Sequence, residues 1–332
     1  MPVQIIAEAA QGYEGDATQA RLLVRAAARA GADAVKFQLV YADEIATPNY
    51  RYYGLFRNLE MAPETWHRLA DDAKAEGIRL YLDVYGDRSL REAVKLGAQG
   101  LKISTTDFGN SRLVGAALET GLPLLISIGG ITTDELAGFL VEHRITAEHS
   151  VCFLHGFQAE PTPVEANNLR KLAALRARFP GYHFGFMDHS DGSGDDGLSI
   201  SLLAVSLGAE SIEKHITLDR VLELEDYVSA LPPGRFRNYT RQLRRLESAL
   251  GTESVELSPI EYEYRRKSMK VVVAGRMLQQ GHEIGMEDVC LKRAAYSEPD
   301  KSVLLDRIEE AVGRVLTVDV QANQVITKEM LV

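Results

Sequence analysis

Strand-like apolar runs alternate with helix-like runs from residue 4 to about residue 250 of this 332-residue chain. The apolar runs predict eight strands: Gln4–Ala9, Ala34–Leu39, Arg79–Val84, Gly100–Thr105, Pro123–Ile128, Val151–Gly156, His183–Asp188 and Ser211–Thr217. Eight strands with helices between them favour a closed (β/α)8 TIM barrel over an open doubly wound sheet.

One short phrase occurs three times, each time where a predicted helix gives way to a strand. A glycine ends the helix-like run and a charged side chain follows five residues later: Gly31 before Lys36, Gly97 before Lys102, and Gly208 before Glu213. Equal offsets put the three charges at equivalent places on equivalent strands. Because barrel enzymes work from the carboxyl ends of their strands, we expect these groups around one mouth.

Two histidines close the last two predicted strands. His189 follows the seventh strand and His215 ends the eighth. Neighbouring strands would bring the two imidazoles together, an arrangement that suits Mn, Fe or Zn with positions left open for substrate. The alternative is a pair of hydrogen-bonded rim histidines, and spacing does not separate the two. Asp188 would orient His189 or cap the following helix.

Other polar residues interrupt apolar strands. Lys36 and Lys102 would bind an anion or form a Schiff base if they point inward, and would have neither role if they extend to solvent. Glu8 ends the first strand, and like Glu213 it would hold a lysine or act as an acid or base. Ser127 ends the fifth strand before a pair of glycines, where backbone N–H groups would meet an anion or form a plain turn.

The pattern changes after Gly251. Residues 1–252 are predicted to form the barrel, 253–267 a linker, and 268–332 a small, mostly β module. A module of about 65 residues is marginal alone, so we expect it to lean on the barrel or on a partner chain. Arg293 lies in this module, and by itself it predicts only a surface charge.

Composition narrows the function classes. The chain is 45% hydrophobic and 25% charged, as in ordinary soluble proteins. Its net charge of −10, without a basic run, argues against nucleic acid as a partner. The start lacks a basic signal-peptide region, and no apolar stretch approaches the roughly 18 residues of a membrane span. Cys152 and Cys290 are expected to be reduced thiols of a cytoplasmic protein.

An ordered set of motifs covers nearly the whole chain and resembles the sialic acid synthase family. The motifs are Ala7-Glu8-Ala9-Ala10, Gly31–Gln38, Lys102-Ile103-Ser104, Pro161-Thr162-Pro163, Asp188-His189, Glu213–Arg220 and Lys292-Arg293. The C-terminal module is similar to the antifreeze-like (SAF) domain of that family. A single motif of this kind is weak, but the set in this order is specific.

The resemblance implies a definite reaction. C3 of phosphoenolpyruvate attacks the aldehyde of an N-acylated amino sugar, water adds at C2, and phosphate leaves with C–O cleavage. The acceptor is N-acetylmannosamine or a 2,4-diacetamido-trideoxy hexose. A divalent metal on His189 and His215, expected to be Mn²⁺ with Mg²⁺ or Co²⁺ as alternatives, polarises the aldehyde oxygen. The implied assembly is a domain-swapped homodimer in which Arg293 acts on the partner's barrel.

The resemblance also implies roles for individual side chains. Glu213 and Glu8 are the implied catalytic residues, with Glu213 transferring protons. Lys36 and Lys102 would hold the phosphate and carboxylate of phosphoenolpyruvate. The implied substrate contacts are Lys36, Gln38, Lys102, Thr105, Asp107, Ser127, Gln158, Asp226 and Arg293.

Several positions depart from the family pattern. Asp83 replaces a phosphate-facing threonine, Met187 replaces a serine, Gln158 and Glu160 replace an asparagine and a tyrosine, and Gly12-Tyr13 replaces Asn-His. Asp83 beside a phosphate would be repulsive unless it turns away or pairs with a lysine. Asp83 and Met187 both reduce the capacity for phosphate, so a metal-dependent pyruvate aldolase stays open. A non-catalytic sugar-binding or assembly subunit is a third interpretation, against which the intact glutamate and histidines speak.

Overall fold

The computed structural model describes residues 2–159, 161–294 and 303–332. The chain forms two compact units, residues 1–251 and residues 252–332. Among the described residues, no helix is both long and apolar enough to cross a membrane. Neither cysteine forms a disulfide.

The first unit is a closed barrel of eight parallel strands in sequence order. The strands are β1 (Gln4–Ala10), β2 (Ala34–Gln38), β3 (Arg79–Asp83), β4 (Gly100–Ile103), β5 (Leu124–Ser127), β6 (Val151–His155), β7 (His183–Asp188) and β8 (Ser211–His215). Each lies within two residues of its predicted bounds. The predicted TIM-barrel fold is therefore confirmed.

Helices surround this barrel. They are α1 (Ala17–Arg29), α2 (Ala42–Ile45), α3 (Tyr53–Leu59), α4 (Pro63–Ala75), α5 (Asp87–Lys95), α6 (Ser111–Glu119), α7 (Thr133–Glu142), α8 (Arg170–Arg178), α9 (Asp196–Ser206) and α10 (Pro233–Glu247). Local sequence explains the start of α7: Thr132 Oγ1 accepts from Glu135 N (3.2 Å), and Glu135 Oε2 accepts from Thr132 N (2.8 Å). This capping box satisfies backbone donors that a helix start leaves unpaired.

Strand alternation decides which side chains enter the barrel. On β8, Glu213 and His215 line the inner cavity, whereas Lys214 between them does not. The floor below the cavity is apolar: Ile6, Ala34, Tyr81, Leu125, Leu154 and Met187 pack together. Gly100 makes room for the Tyr81 ring, because a Cβ there would lie 2.5 Å from it. The charged side chains of the cavity lie on the carboxyl side of this apolar floor.

The second unit has its own small core. It contains α11 (Pro259–Ser268) and an antiparallel pair, β9 (Val271–Ala274) and β10 (Val289–Lys292). Buried Val272, Leu278 and Ile326 belong to a cluster of apolar side chains within this unit. The helix α11 lies in the segment for which the sequence predicted a linker. Its start is another capping box, between Ser258 and Glu261.

Candidate active site

A cavity of about 260 Å³ opens at the mouth, the end of the barrel where the strands finish. It is lined by Glu8, Lys36, Gln38, Asp83, Lys102, Ser104, Thr105, Thr106, Ser127, Gly129, Gly156, Phe157, Gln158, Met187, His189, Glu213 and His215. These residues lie in the last three positions of a strand or in the loop that follows it, as the topology requires. The structure thus brings the repeated lysines and glutamate together with both histidines.

Lys36 lies at the centre of a carboxylate cluster. Its side chain is 1% exposed, so it does not extend to solvent. The ammonium contacts Glu8 Oε2 directly, lies 2.5 Å from Asp83 Oδ1, and lies 3.6 Å from Glu213 Oε2. Glu8 also accepts from the backbone N–H of Ala10 at 2.7 Å. The Asp83 carboxylate does not turn away from Lys36 but forms an ion pair with it.

Lys102 has a different environment. Its ammonium donates to Glu213 Oε1 at 2.6 Å and lies 3.4 Å from Met187 Sδ. Ser127 Oγ donates to the same sulfur at 3.3 Å. Glu213 therefore bridges the two lysines, and Met187 fills the space between Lys102 and Ser127 with a weak acceptor.

The cluster has more carboxylates than ammonium groups, because Glu8, Asp83 and Glu213 face only Lys36 and Lys102. Burial raises the pKa of Glu8 to about 8 against the opposing charge of Lys36. Burial would also raise the pKa of Glu213, but Lys102 and Lys36 outweigh it and lower this pKa to about 2. At neutral pH Glu8 is mostly protonated and Glu213 is ionised, which leaves the cluster close to neutral.

The two histidines meet beside this cluster. The ring centroids of His189 and His215 are 5.2 Å apart, and both residues are buried. Burial lowers the pKa of His189 to about 4, and burial together with His189 holds the pKa of His215 well below its usual range. Both imidazoles are therefore neutral at pH 7, the form that binds a metal.

The histidine pair fits a divalent metal. Nδ1 of His189 is buried and has no hydrogen-bond partner among the described residues, a cost that coordination would remove. No group of three or more His, Cys, Asp or Glu side chains in the described part of the chain is arranged to hold a metal. The pair would thus supply two ligands and leave the other positions to water or substrate.

A second buried ion pair lies on the same two strands. Lys214 Nζ donates to Asp188 Oδ1 (3.1 Å), Ser190 O (2.8 Å) and Ser190 Oγ (3.1 Å). Asp188 also accepts from Ser201 Oγ on α9 at 2.9 Å. Asp188 therefore pairs with Lys214. It was predicted to orient His189 or to cap the next helix, but its hydrogen-bond partners are Ser190, Ser201 and Lys214, and the N-cap of α9 is Asp195.

Loops complete the rim of the cavity. Gln158 Nε2 donates to Asp226 Oδ1 at 2.9 Å, which ties the loop after β6 to the loop after β8. Thr105 and Gln38 line the cavity. Asp107 does not line it; its carboxylate accepts from Asn110 Nδ2 at 3.1 Å and from Thr106 Oγ1 at 3.0 Å.

Two residues of the sequence analysis fall elsewhere. Arg293 belongs to the second unit, where it is exposed and its Nε donates to Ser268 O at 3.3 Å. Its predicted action on a partner's barrel stays a prediction. Glu160 lies outside the described residues.

Comparison with known proteins identifies the family of this barrel. The model of the NeuB family matches residues 23–255. The chain belongs to the NeuB family. The SAF domain model matches residues 270–332. The resemblance to sialic acid synthases with an antifreeze-like domain is therefore confirmed, and it extends over both units.

Relatives of this NeuB-family chain match most or almost all of its length. Human N-acetylneuraminate-9-phosphate synthase is 28% identical, over 99% of this chain and 93% of its own. N,N'-diacetyllegionaminic acid synthase of Legionella pneumophila is 27% identical, over 98% of this chain and 93% of its own. The crystal structure of a sialic acid synthetase from Leptospira borgpetersenii superposes with a TM-score of 0.73 at 28% identity, over 81% and 93% of the two chains.

Sequence reasoning missed part of this NeuB-family site. The sequence left open whether Asp83 turns away or pairs with a lysine, although an acid at the end of β3 must face the cavity if Tyr81 does. The role of Lys214 was also missed. Lys214 lies between two inward-facing residues of β8, and side chains alternate along a strand. This alternation indicates that Lys214 points away from the cavity.

Proposed function

We propose that the chain is a nonulosonic acid synthase that joins phosphoenolpyruvate to the aldehyde of an N-acylated hexosamine. C3 of phosphoenolpyruvate forms the new bond to the aldehyde carbon, whose oxygen takes a proton. Water adds at C2, and the C2–O bond breaks to release inorganic phosphate and leave the ketone. N-acetylmannosamine and 2,4-diacetamido-trideoxy hexoses are the acceptors to test.

Two glutamates have the protonation states that this reaction needs. Glu8, with its pKa raised to about 8, carries a proton at neutral pH and donates it toward the aldehyde oxygen. Glu213, with its pKa lowered to about 2, is an ionised base for the attacking water. Paired carboxyl groups whose pKa values diverge are the usual basis for assigning acid and base.

The remaining residues bind and orient. His189 and His215 would hold the divalent metal, expected to be Mn²⁺, which supplies Lewis-acid polarisation of the aldehyde. Lys102 binds an anionic group of phosphoenolpyruvate. Ser127 and Thr105 line the same cavity and offer hydroxyl groups to this anion. Gln158, Asp226 and Gln38 meet the sugar at the rim.

One observation carries this proposal. Glu213 lies between two buried lysines, 2.6 Å from Lys102 and 3.6 Å from Lys36, in the same cavity as the neutral histidine pair. Buried charges of this number are costly and cluster at functional sites. A barrel that only bound or assembled would need neither the excess of carboxylates nor the unsatisfied His189 nitrogen.

Phosphate release tests the proposal. The purified full-length chain is incubated with phosphoenolpyruvate and Mn²⁺, with N-acetylmannosamine and with several diacetamido sugars, each with and without EDTA. We expect phosphate release that requires one sugar and stops with EDTA. Metal-loaded protein that releases no phosphate with any of these sugars would contradict the proposal for them.

A pyruvate aldolase is the second candidate, and Asp83 favours it. The Asp83 carboxylate lies 2.5 Å from Lys36 and pairs with the ammonium group to which a phosphate would otherwise bind. Pyruvate carries one negative charge and needs less compensation. This candidate predicts the same carbon–carbon bond from pyruvate without phosphate release, so supplying pyruvate in place of phosphoenolpyruvate distinguishes the two.

A further inference from the structure

The ammonium group of Lys36 is surrounded by carboxyl groups. A lysine has three N–H donors. Glu8 contacts this ammonium directly, Asp83 lies 2.5 Å from it, and Glu213 forms a longer ion pair at 3.6 Å. Lys36 is fully buried among these groups. An incoming anion that pairs with Lys36 must therefore compete with them.

Lys102 lines the same cavity and has fewer anionic partners than Lys36. It has one carboxylate partner, Glu213 at 2.6 Å, and its other neighbour is the uncharged sulfur of Met187 at 3.4 Å. At least one of its donors is directed at nothing stronger than a thioether. Of the two lysines, Lys102 is therefore the one able to bind a donor substrate without losing an ion pair.

The three carboxylates around Lys36 are not equivalent. Glu8 also accepts from the backbone of Ala10, and Glu213 is shared with Lys102. Asp83, at the end of β3, is the carboxylate whose hydrogen bond goes to Lys36. Removing its charge would leave the Lys102–Glu213 pair and the contact of Glu8 with Lys36 in place.

We propose that Asp83 determines donor specificity, because by occupying Lys36 it limits how much negative charge the bound donor can carry. This inference rests on the proposed function for the identity of the donor. Phosphoenolpyruvate bears a carboxylate and a phosphate, and Lys102 is the lysine that binds it while Asp83 remains paired with Lys36. A donor with only a carboxylate makes no such demand.

Binding measurements on three proteins test this. Titration calorimetry of the full-length chain with Mn²⁺ compares phosphoenolpyruvate, inorganic phosphate and pyruvate as ligands of the wild type, Asp83→Asn and Asp87→Asn. Asp87 is the matched control: it begins α5 four residues later and pairs with Arg112 outside the cavity. Thermal unfolding checks that each variant is folded, and Asp83→Ser replaces Asp83→Asn if the amide variant is not.

We expect Asp83→Asn to bind phosphoenolpyruvate and phosphate roughly 10- to 100-fold more tightly, the factor that one charge-assisted hydrogen bond provides. Pyruvate affinity should rise much less, and Asp87→Asn should match the wild type. Equal phosphoenolpyruvate affinity in wild type and Asp83→Asn overturns the inference and leaves the proposed donor intact. No phosphoenolpyruvate binding to either protein overturns both.

Discussion

The barrel strands carry two buried charge clusters that differ in their balance of positive and negative groups. Away from the cavity, Lys214 and Asp188 form a pair of one cation and one anion, both side chains fully buried. Inside the cavity, Lys36 and Lys102 face three carboxylates. The outward pair is hydrogen-bonded to Ser190 and to α9, whereas the inward cluster borders an open space.

The contrast separates a structural role from a chemical one. In the Lys214–Asp188 pair the two charges compensate each other and are hydrogen-bonded. The pair therefore fixes the positions of the strands and of α9, and we assign it no chemical role. An unbalanced cluster shifts the pKa values of its members in opposite directions, as it does for Glu8 and Glu213. Loss of the first should therefore reduce stability, and loss of the second should reduce activity.

The largest expected effect is the loss of a cavity histidine. His215→Ala should lower turnover about 1000-fold or more, because metal polarisation contributes several kcal/mol to the transition state. The same variant should lose Mn²⁺ in equilibrium dialysis while keeping its unfolding midpoint. His183→Ala, at the opposite end of β7, is the control and should keep both metal and turnover. Metal retained by His215→Ala would remove this residue from the site.

The outward pair should show the reverse pattern. Lys214→Met leaves Asp188 buried without its cation and should lower the free energy of unfolding by about 3–5 kcal/mol. Denaturant titration measures this. The double variant with Asp188→Asn should recover much of the loss, since the uncompensated charge is gone. A single variant as stable as the wild type would show that the pair does not support the fold.

The pH dependence of stability provides a third test. Glu8 has a folded pKa of about 8 against an ordinary 4.5, so the folded state holds an extra proton between these values and loses stability as pH rises. The buried histidines His155, His189 and His215 have lowered pKa values and act oppositely, and their effect is complete only about one pH unit above their ordinary value of 6.5. Comparison of the wild type with a Glu8 variant cancels this histidine contribution and isolates that of Glu8.

Glu8→Gln should remove the contribution of Glu8. In EDTA, the free energy of unfolding of the wild type minus that of Glu8→Gln should fall by up to ~2 kcal/mol from pH 6.5 to 8, at about 1.4 kcal/mol per pH unit at most. The variant by itself should gain slightly in stability over the lower part of this interval, because the histidine contribution remains. Parallel curves for the two proteins would mean that Glu8 does not carry the extra proton.

The smallest expected effect concerns Arg293 in the second unit. If it acts on a partner's barrel, Arg293→Ala should leave folding intact and lower turnover about tenfold, the scale of one charge-assisted contact. Arg307→Ala, an exposed arginine of the same unit, is the control. Unchanged kinetics for Arg293→Ala would exclude this residue from the site, and size measurement with and without residues 268–332 would test the expected dimer.

Local sequence was enough to predict the barrel. Each strand is a short apolar run bounded by a glycine or a helix start, and the constant offset from Gly31 to Lys36 and from Gly97 to Lys102 predicted which side chains would share the mouth. The start of α7 was equally readable from Thr132 and Glu135. Such patterns depend only on neighbouring residues.

Long-range pairings were not readable in the same way. The contact of Asp83 with Lys36 joins residues 47 positions apart, and that of Gln158 with Asp226 joins residues 68 apart. Both depend on strand register and loop paths that no local pattern encodes. The helix α11 is a different case, since Ser258, Pro259 and Glu261 form a recognisable helix start that the irregular apolar pattern after it obscured.

The central claim is that phosphate leaves phosphoenolpyruvate by C–O cleavage during formation of a carbon–carbon bond. Phosphoenolpyruvate labelled with ¹⁸O at the oxygen between C2 and phosphorus tests it directly, with Mn²⁺ and the accepted sugar. We expect the ¹⁸O to appear in the released phosphate, as mass spectrometry would show. Label retained in the organic product would indicate P–O cleavage and contradict the account.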